Sequence, residues 1–394
     1  MIINKAFKFR IYPNHEQRTQ LTRQFGSSRF VYNHFLRQRI DYYEIHKNNE
    51  KKKGLTYNDT TARLTELKKT QELIWLTESN SQVLQQSLRD LDVAYNNFFN
   101  KRSEFPKFKK KNSKQSFRVP QHFSVEDEKL YIPKFDSIKI VVHREIEGEM
   151  KSVTISKTAA GNYFASILCE LEIEPEPRKV KKEIGIDLGI KSFLVSSDGE
   201  RVSSPKFLRA SEHKMGILQR RLSRKVIGSN GRNKSRLKVA RLHEKIANQR
   251  KDFLHKLSRR LVDENQAIFA EDLHVKGMVR NHNLAKSISD QGWSEFVRQL
   301  EYKSEWVGGE FVQIDRFFPS SKRHAGCGWI NEDLKLADRE WKCLECGDIV
   351  DRDLNAAKNI VSFGKTKSTV GSTETQRRGR SPVRGSLNSE AMRL

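Results

Sequence analysis

The stretch E-I-G-I-D-L-G-I (183–190), followed by S-F-L-V-S-S (192–197), sets one carboxylate, Asp187, inside an apolar run. Two such runs around a short turn, closed by Asp198-Gly199, read as the hairpin that opens an α/β unit. A lone carboxylate buried in a strand is costly unless a partner or a metal compensates it. Two further acids have comparable settings: Glu271 in the strand-like run A-I-F-A-E-D-L (267–273), and Asp353 at the start of the helical run D-L-N-A-A-K-N-I-V (353–361). Three acids at strand ends and a helix N-terminus are what a Mg²⁺ cluster for phosphodiester hydrolysis requires. Hard cations take oxygen ligands, and two metals clamp the attacking and leaving oxygens. Each acid also has a plainer explanation. Asp353 is a natural N-cap, and Glu271 or Asp272 would pair with a nearby Arg. Pattern alone leaves both accounts open.

Between the last two acids lies His324-x-x-Cys327, then 15 residues, then Cys343-x-x-Cys346, with a glycine after Cys327 and another after Cys346. Two knuckles of this spacing bring four N/S ligands to one tetrahedral Zn²⁺, as in a zinc ribbon. No ligand position is left open, so the expected zinc is structural. Cys169, alone on a strand-like run, is expected to pack in a core.

The first half of the chain has a different pattern. Residues 2–12 alternate apolar and basic (Phe7, Phe9 and Ile11 against Lys8 and Arg10) and are stopped by Pro13, which predicts a strand. From Asn14, a good N-cap, to about residue 100 the pattern is helical, with Leu84, Leu88, Leu91, Tyr95 and Phe98 on one stripe. The same helix carries Gln82, Gln85 and Gln86, which read either as solvated positions or as adenine readers. Residues 129–173 return to strand patterning, so with the first strand they are expected to close a small β-barrel around inserted helices. Residues 174–182 read as a linker. In the second half, a long basic helical region carries Leu242, Ile246, Phe253, Leu257 and Leu261 on one face. A helix around 292–306 and a strand at 310–318 follow, and from residue 363 a tail without periodicity reads as disordered.

The formal charge is +25, which points to a polyanionic partner, with nucleic acid the commonest. It is concentrated in three segments: residues 101–118 carry 8 basic and 1 acidic residue, residues 206–260 carry 18 and 3, and residues 361–394 carry 7 and 2. The rest of the chain is close to neutral. In the first segment Phe105, Phe108 and Phe117 alternate with lysines, the mixture needed for phosphate contact with base stacking. No run of 18 apolar residues occurs, which excludes a transmembrane helix. The N-terminus lacks the apolar stretch of a secretory signal, so an intracellular protein is expected.

The ordered set D-L-G-I-K (187–191), F-A-E-D-L (269–273), H-x-x-C…C-x-x-C-G and D-R-D-L-N-A-A-K-N-I (351–360) resembles the TnpB family. These are OrfB-type, transposon-encoded RNA-guided nucleases related to the type V CRISPR effectors. Further matches are F-R-I-Y-P (9–13), R-F-V-Y-N (29–33), F-P-K-F-K-K-K (105–111) and W-S-E-F-V-R-Q-L-E-Y-K (293–303). The resemblance reaches to about residue 362. It departs at His324, where the family usually has Cys.

The resemblance implies an α/β multidomain protein. A RuvC-like RNase H fold (183–318 and 350–362) would carry an inserted zinc ribbon (319–349). A wedge-like β-barrel (1–13 and 101–178) would hold a helical recognition domain (14–100). It implies Mg²⁺ on the catalytic acids Asp187, Glu271 and Asp353, selecting Glu271 over Asp272 and Asp353 over Asp351. It also implies Zn²⁺ on His324, Cys327, Cys343 and Cys346. Guide RNA and double-stranded target DNA are the implied partners, in a monomeric ribonucleoprotein of the prokaryotic cytoplasm. The barrel–loop surface would recognise a short DNA motif beside the target. Candidate nucleic-acid contacts are Tyr12, Gln82, Gln85, Gln86, Lys107, Lys109, Lys110, Lys111, Arg220 and Arg221. Two alternatives are an inactive RNA-guided DNA-binding repressor and a transposase accessory protein.

Overall fold

The computed structural model describes residues 1–48, 54–112, 114–175, 179–335 and 337–375, with side chains described as far as residue 366. These fall into two compact units that meet at Glu172/Ile173.

In the first unit, β1 (Ile2–Tyr12) ends at Pro13, and α1 (His15–His46) starts from an Asn14 capping box in which Asn14 and Gln17 satisfy each other's backbone N–H. Helix α2 (Tyr57–Leu67), a 3-10 turn (Gln71–Glu78) and α3 (Ser81–Phe99) follow. The remaining elements are strands: β2 (Gln115–Val119), β3 (Ser124–Glu126), β4 (Lys129–Tyr131), β5 (Ile138–Val141), β6 (Glu149–Lys157) and β7 (Tyr163–Glu172). They form one antiparallel sheet in the order β2-β6-β7-β1-β5-β4-β3. Phe7, Phe9 and Ile11 alternate into its core with Ile155, Ile167 and Cys169. A second core joins Val31 and Phe35 of α1 to Leu84, Leu88 and Leu91 of α3.

Two expectations need correction here. The sheet is a half-barrel with β2 and β3 as its two edges, not a closed barrel. The three-residue strands β3 and β4 offer too few backbone groups to close it, and β2 instead packs Phe117 against Phe25 of α1, ring centroids 5.3 Å apart. Phe117 is therefore a core residue, 4 % exposed, and not part of a basic loop.

In the second unit, β8 (Glu183–Leu188), β9 (Ser192–Ser196) and β10 (Arg201–Ser203) form an antiparallel meander. Helices α4 (Phe207–Ser223) and α5 (Asn230–Glu264) contain most of the basic segment 206–260. Then come β11 (Ala267–Glu271), the short helices α6 (Val275–Met278) and α7 (Ala285–Gln291), α8 (Trp293–Trp306) and β12 (Glu310–Ile314). A small ribbon, β13 (Glu340–Lys342) with β14 (Ile349–Asp351), precedes α9 (Arg352–Thr375). The five-stranded sheet has the order β10-β9-β8-β11-β12, with β8, β11 and β12 parallel.

Both faces of this sheet are covered. Ile184, Ile186 and Ile268 pack on Leu254, Leu257 and Leu261 of α5 and on Trp293 and Phe296 of α8. On the other face Ala267, Phe269 and Ile314 pack on Ile360 of α9. Helix α9 lies so close that a Cβ at Gly185 would overlap the Ala357 carbonyl, and one at Gly364 would overlap the Phe269 ring. Phe363 also stacks on Phe318 at 4.1 Å, and α9 continues through residues 363–375, where sequence patterning had predicted a disordered tail. Residues 376–394 of that expected tail lie outside the described residues. No helix among the described residues is long and apolar enough to cross a membrane.

Candidate acidic cleft and Cys/His cluster

Side-chain alternation brings the three predicted acids to one face. On β8, Ile184 and Ile186 face α5 and α8, so Gly185 and Asp187 face α9. On β11, Ala267 and Phe269 face α9, and so does Glu271 two residues on. The parallel register pairs Ala270 with Ile186, and one further step sets Glu271 beside Asp187 at the C-terminal ends of both strands. Asp353 enters from the first turn of α9.

All three line a cleft of about 770 Å³, together with Ser320, Arg339 and Arg352 and the more peripheral Lys191, Lys206, Arg209 and Lys286. Burial, and then the charges of Glu271 and Asp353, push the Asp187 carboxyl up to about 7, against the pull of Arg352 and Arg339. Burial also raises Glu271, partly offset by the hydrogen bond that Ser320 Oγ donates and by the positive charge of Arg352. Asp353 lies 3.5 Å from Arg339 and 3.7 Å from Arg201. Asp187 and Glu271 resist ionising side by side, and with Asp353 they offer only oxygen donors, the ligand type that a hard divalent cation takes.

The neighbouring acids are otherwise engaged. Asp272, just beyond the end of β11, accepts from Arg316 Nη2 at 2.5 Å. Asp351 accepts the Leu354 N–H at 2.9 Å and ion-pairs with Arg201 at 2.6 Å. The N-cap of α9 is thus Asp351, and the capping role suggested for Asp353 falls away.

His324, Cys327, Cys343 and Cys346 converge with their ligand atoms within 4.8 Å of one another. Cys327 Sγ and Cys343 Sγ are 3.5 Å apart, and His324 Nδ1 is 3.2 Å from Cys327 Sγ and 3.3 Å from Cys346 Sγ. Ligand bonds of about 2.0–2.3 Å in a tetrahedron require edges of roughly 3.4–3.8 Å, so the set fits zinc with little adjustment. The cysteines are free thiols.

The two clusters are physically joined. Asn355 and Asn359 of α9, 3 % and 4 % exposed, reach into the base of the ribbon. Asn355 donates to the Arg323 carbonyl at 2.6 Å and accepts the Ala325 N–H at 2.8 Å, while Asn359 donates to the Ser320 carbonyl at 2.8 Å. The run D-L-N-A-A-K-N therefore combines a cleft acid, two ribbon anchors and two alanines small enough for α9 to lie on β8. Reading the sequence for acids missed the asparagines, although their four-residue spacing on one helix face was visible. It also missed Ser320, Arg201 and Arg339, which no local pattern marks.

The candidate nucleic-acid residues are dispersed. In the first unit, Tyr12 is 52 % exposed beneath the Arg10 guanidinium. Gln85 is exposed, Gln82 has a buried Oε1 without a partner, and Gln86 is buried and donates to Asp90 at 2.9 Å. Lys107 pairs with Glu104, the Lys109 ammonium sits 3.9 Å over the Tyr32 ring, and Lys110 and Lys111 are exposed. In the second unit, Arg220 and Arg221 are exposed in the last turn of α4.

Comparison with known proteins covers nearly the whole chain. Residues 166–282 match the OrfB model of the IS605 type, described as "Probable transposase", and residues 293–360 match "Cas12f1-like, TNB domain". Residues 1–48 match a model described as "Helix-turn-helix domain", although here they form β1 and the single helix α1. A protein of Streptomyces pristinaespiralis named "Putative RNA-guided DNA endonuclease" is 43 % identical over 394 residues, covering 97 % of this chain and 96 % of that protein. One of the same name with the suffix InsQ, from Escherichia coli K12, is 34 % identical over 377 residues, covering 91 % of this chain and 92 % of that one. Among solved structures, the "Cryo-EM structure of the Cas12f1-sgRNA-target DNA complex" shares the fold with a TM-score of 0.53 at 15 % identity, covering 91 % of this chain and 99 % of that one.

Proposed function

The chain belongs to the OrfB/TnpB family of RNA-guided DNA endonucleases, and we propose that it cuts DNA opened by a guide RNA, next to a short transposon-adjacent motif, at the cleft of Asp187, Glu271 and Asp353. The observation that carries this reading is the convergence of those three carboxylates, from residues far apart in sequence, at the C-terminal ends of β8 and β11 and the start of α9. The strand order β10-β9-β8-β11-β12, with α9 across one face, supports a RuvC-like RNase H fold for the second unit. The ribbon between β12 and α9 is then the inserted zinc module, and the first unit supplies the wedge and recognition domains.

The three carboxylates would hold Mg²⁺, which when bound activates water and stabilises the leaving oxygen. The chain's own groups prepare the substrate. Arg339, Arg352 and the peripheral lysines attract the phosphodiester backbone without reading sequence. Ser320 fixes Glu271 by donating to it, and Arg201 holds the helix start through Asp351. Zn²⁺ on His324 and the three cysteines would keep the ribbon folded, and with it the anchorage of α9 through Asn355 and Asn359. Guide pairing would deliver sequence specificity, and the working species would be a cytoplasmic, monomeric ribonucleoprotein.

The test is cleavage of a plasmid with a guide-matched target and a randomised flank by protein purified with its co-expressed RNA. Guide-dependent, Mg²⁺-dependent cutting that falls about 100-fold or more in Asp187→Ala supports the proposal. Binding without cutting would indicate a repressor, and joined transposon ends a transposase.

A further inference from the structure

Phe317 is 88 % exposed, more than any other large hydrophobic side chain among the described residues. Its neighbours on both sides are fixed. Arg316 is held by the Asp272 carboxylate at 2.5 Å and by the Asp272 carbonyl at 3.2 Å. The Phe317 N–H donates to Asp315 Oδ1 at 2.8 Å, Phe318 stacks on Phe363 at 4.1 Å, and Ser320 donates to Glu271. A turn pinned at 315, 316, 318 and 320 projects the 317 ring alone into solvent. The position is as telling as the exposure. Ile314 pairs with Glu271 at the ends of β12 and β11, and Ser320 touches the Glu271 carboxylate. Three residues of chain separate Phe317 from each, so its Cα lies within about 11 Å of the Cα atoms of Ile314 and Ser320, and Ser320 itself lines the cleft. The cleft's cations, Arg339, Arg352 and Lys191 among them, suit a polyanion, and an aromatic face beside them suits its bases.

We propose that Phe317 stacks on an unpaired nucleobase of the DNA strand entering the cleft, and so favours single-stranded over duplex substrate. A duplex has no free base face to offer, whereas a strand displaced by guide pairing does. The inference rests on the reading of the cleft as a nuclease site, but its physical content is a binding contact that can be read without cutting.

The test uses the full-length ribonucleoprotein with Asp187→Ala as background and single-stranded oligodeoxynucleotides carrying 2-aminopurine at successive positions. Stacking quenches 2-aminopurine emission at one or two positions, Phe317→Ala abolishes that quenching and weakens binding roughly 5- to 100-fold, and Phe317→Trp restores both. In the cutting-competent protein, Phe317→Ala slows cleavage of a pre-opened target by a similar factor. The melting temperature stays within about 1 °C, because the ring contributes no burial. Unchanged quenching and affinity in Phe317→Ala overturn the proposal, as does a change in oligomeric size with DNA binding intact. A wild-type protein that never cuts but shows ring-dependent quenching would refute the nuclease reading and leave this contact standing.

Discussion

The acidic cleft and the Cys/His cluster both gather cation-binding donors, yet they are built in opposite ways. The Cys/His set spans 23 consecutive residues on two knuckles, so its geometry is local. The acids come from positions 187, 271 and 353, and meet only because a parallel strand pair is formed across a long helical excursion and α9 returns over it. The difference teaches where each cluster is vulnerable. A local set fails when one of its ligands is lost. A long-range set depends also on every contact that fixes the elements bearing it, and here one such contact is the local set itself, through Asn355 and Asn359.

The sharpest test of the long-range set is the pair Glu271→Gln and Asp272→Asn. Glu271 lines the cleft, whereas Asp272, just beyond β11, is engaged by Arg316, so Glu271→Gln should cost cleavage about 100-fold or more, while Asp272→Asn should leave it within about twofold. Comparable losses in both would break the choice of Glu271 over Asp272. Next in size, Cys343→Ser should remove zinc, read by elemental analysis, unfold the ribbon, and slow cleavage roughly 10- to 100-fold although no acid is touched. Full cleavage by zinc-free protein would separate the two clusters. The double variant Asn355→Ala/Asn359→Ala should keep its zinc but lose about 1–3 kcal/mol of stability per orphaned anchor, with cleavage reduced more than zinc affinity. Calorimetry beside a zinc-release assay distinguishes these.

The last test concerns pH and stability rather than cleavage. The Asp187 carboxyl sits near 7 in the folded chain without cations, against an ordinary value near 4. Between those values the folded state holds a proton that the unfolded state has released. The stability of cation-free protein should therefore fall as pH rises from about 4 to about 7, and stay low above that. Asp187→Asn should flatten the slope, and Mg²⁺ should offset the loss at high pH. Melting curves in chelator across this range would show it; no difference in slope between wild type and Asp187→Asn would mean that Asp187 is not crowded.

What could be read in the sequence follows the same division. The Cys/His cluster was visible from spacing, because knuckle geometry is set by a few adjacent residues. Each acid was visible as a charge interrupting an apolar run, since burial patterning is also local. Glu271 could not be separated from Asp272, nor Asp353 from Asp351, by pattern. The choice depends on which face meets α9 and which side chain caps it, and the resemblance had to supply it. Arg201 was invisible because its partners Asp351 and Asp353 lie about 150 residues away. Phe117 was misread because the lysines around it outweighed a five-residue strand. The helix over residues 363–375 was missed; where it begins, Phe363 and Gly364 meet Phe318 and Phe269, about 45 and 95 positions away, which no local pattern reports.

Helix α9 also acts as a ruler. Along its axis it fixes, in order, a cap, a cleft acid, the first ribbon anchor, Ala357 against Gly185, the second anchor and the glycine against Phe269. One inserted residue turns everything beyond it by about 100° and advances it by about 1.5 Å. An insertion between Ala357 and Gly364 would then drive a side chain into Phe269, or lift the helix start away from Glu271. The turn between α4 and α5 meets no such stack of appointments. Length variation in this protein should accordingly be absorbed in that hairpin and refused in α9, whatever residue is inserted.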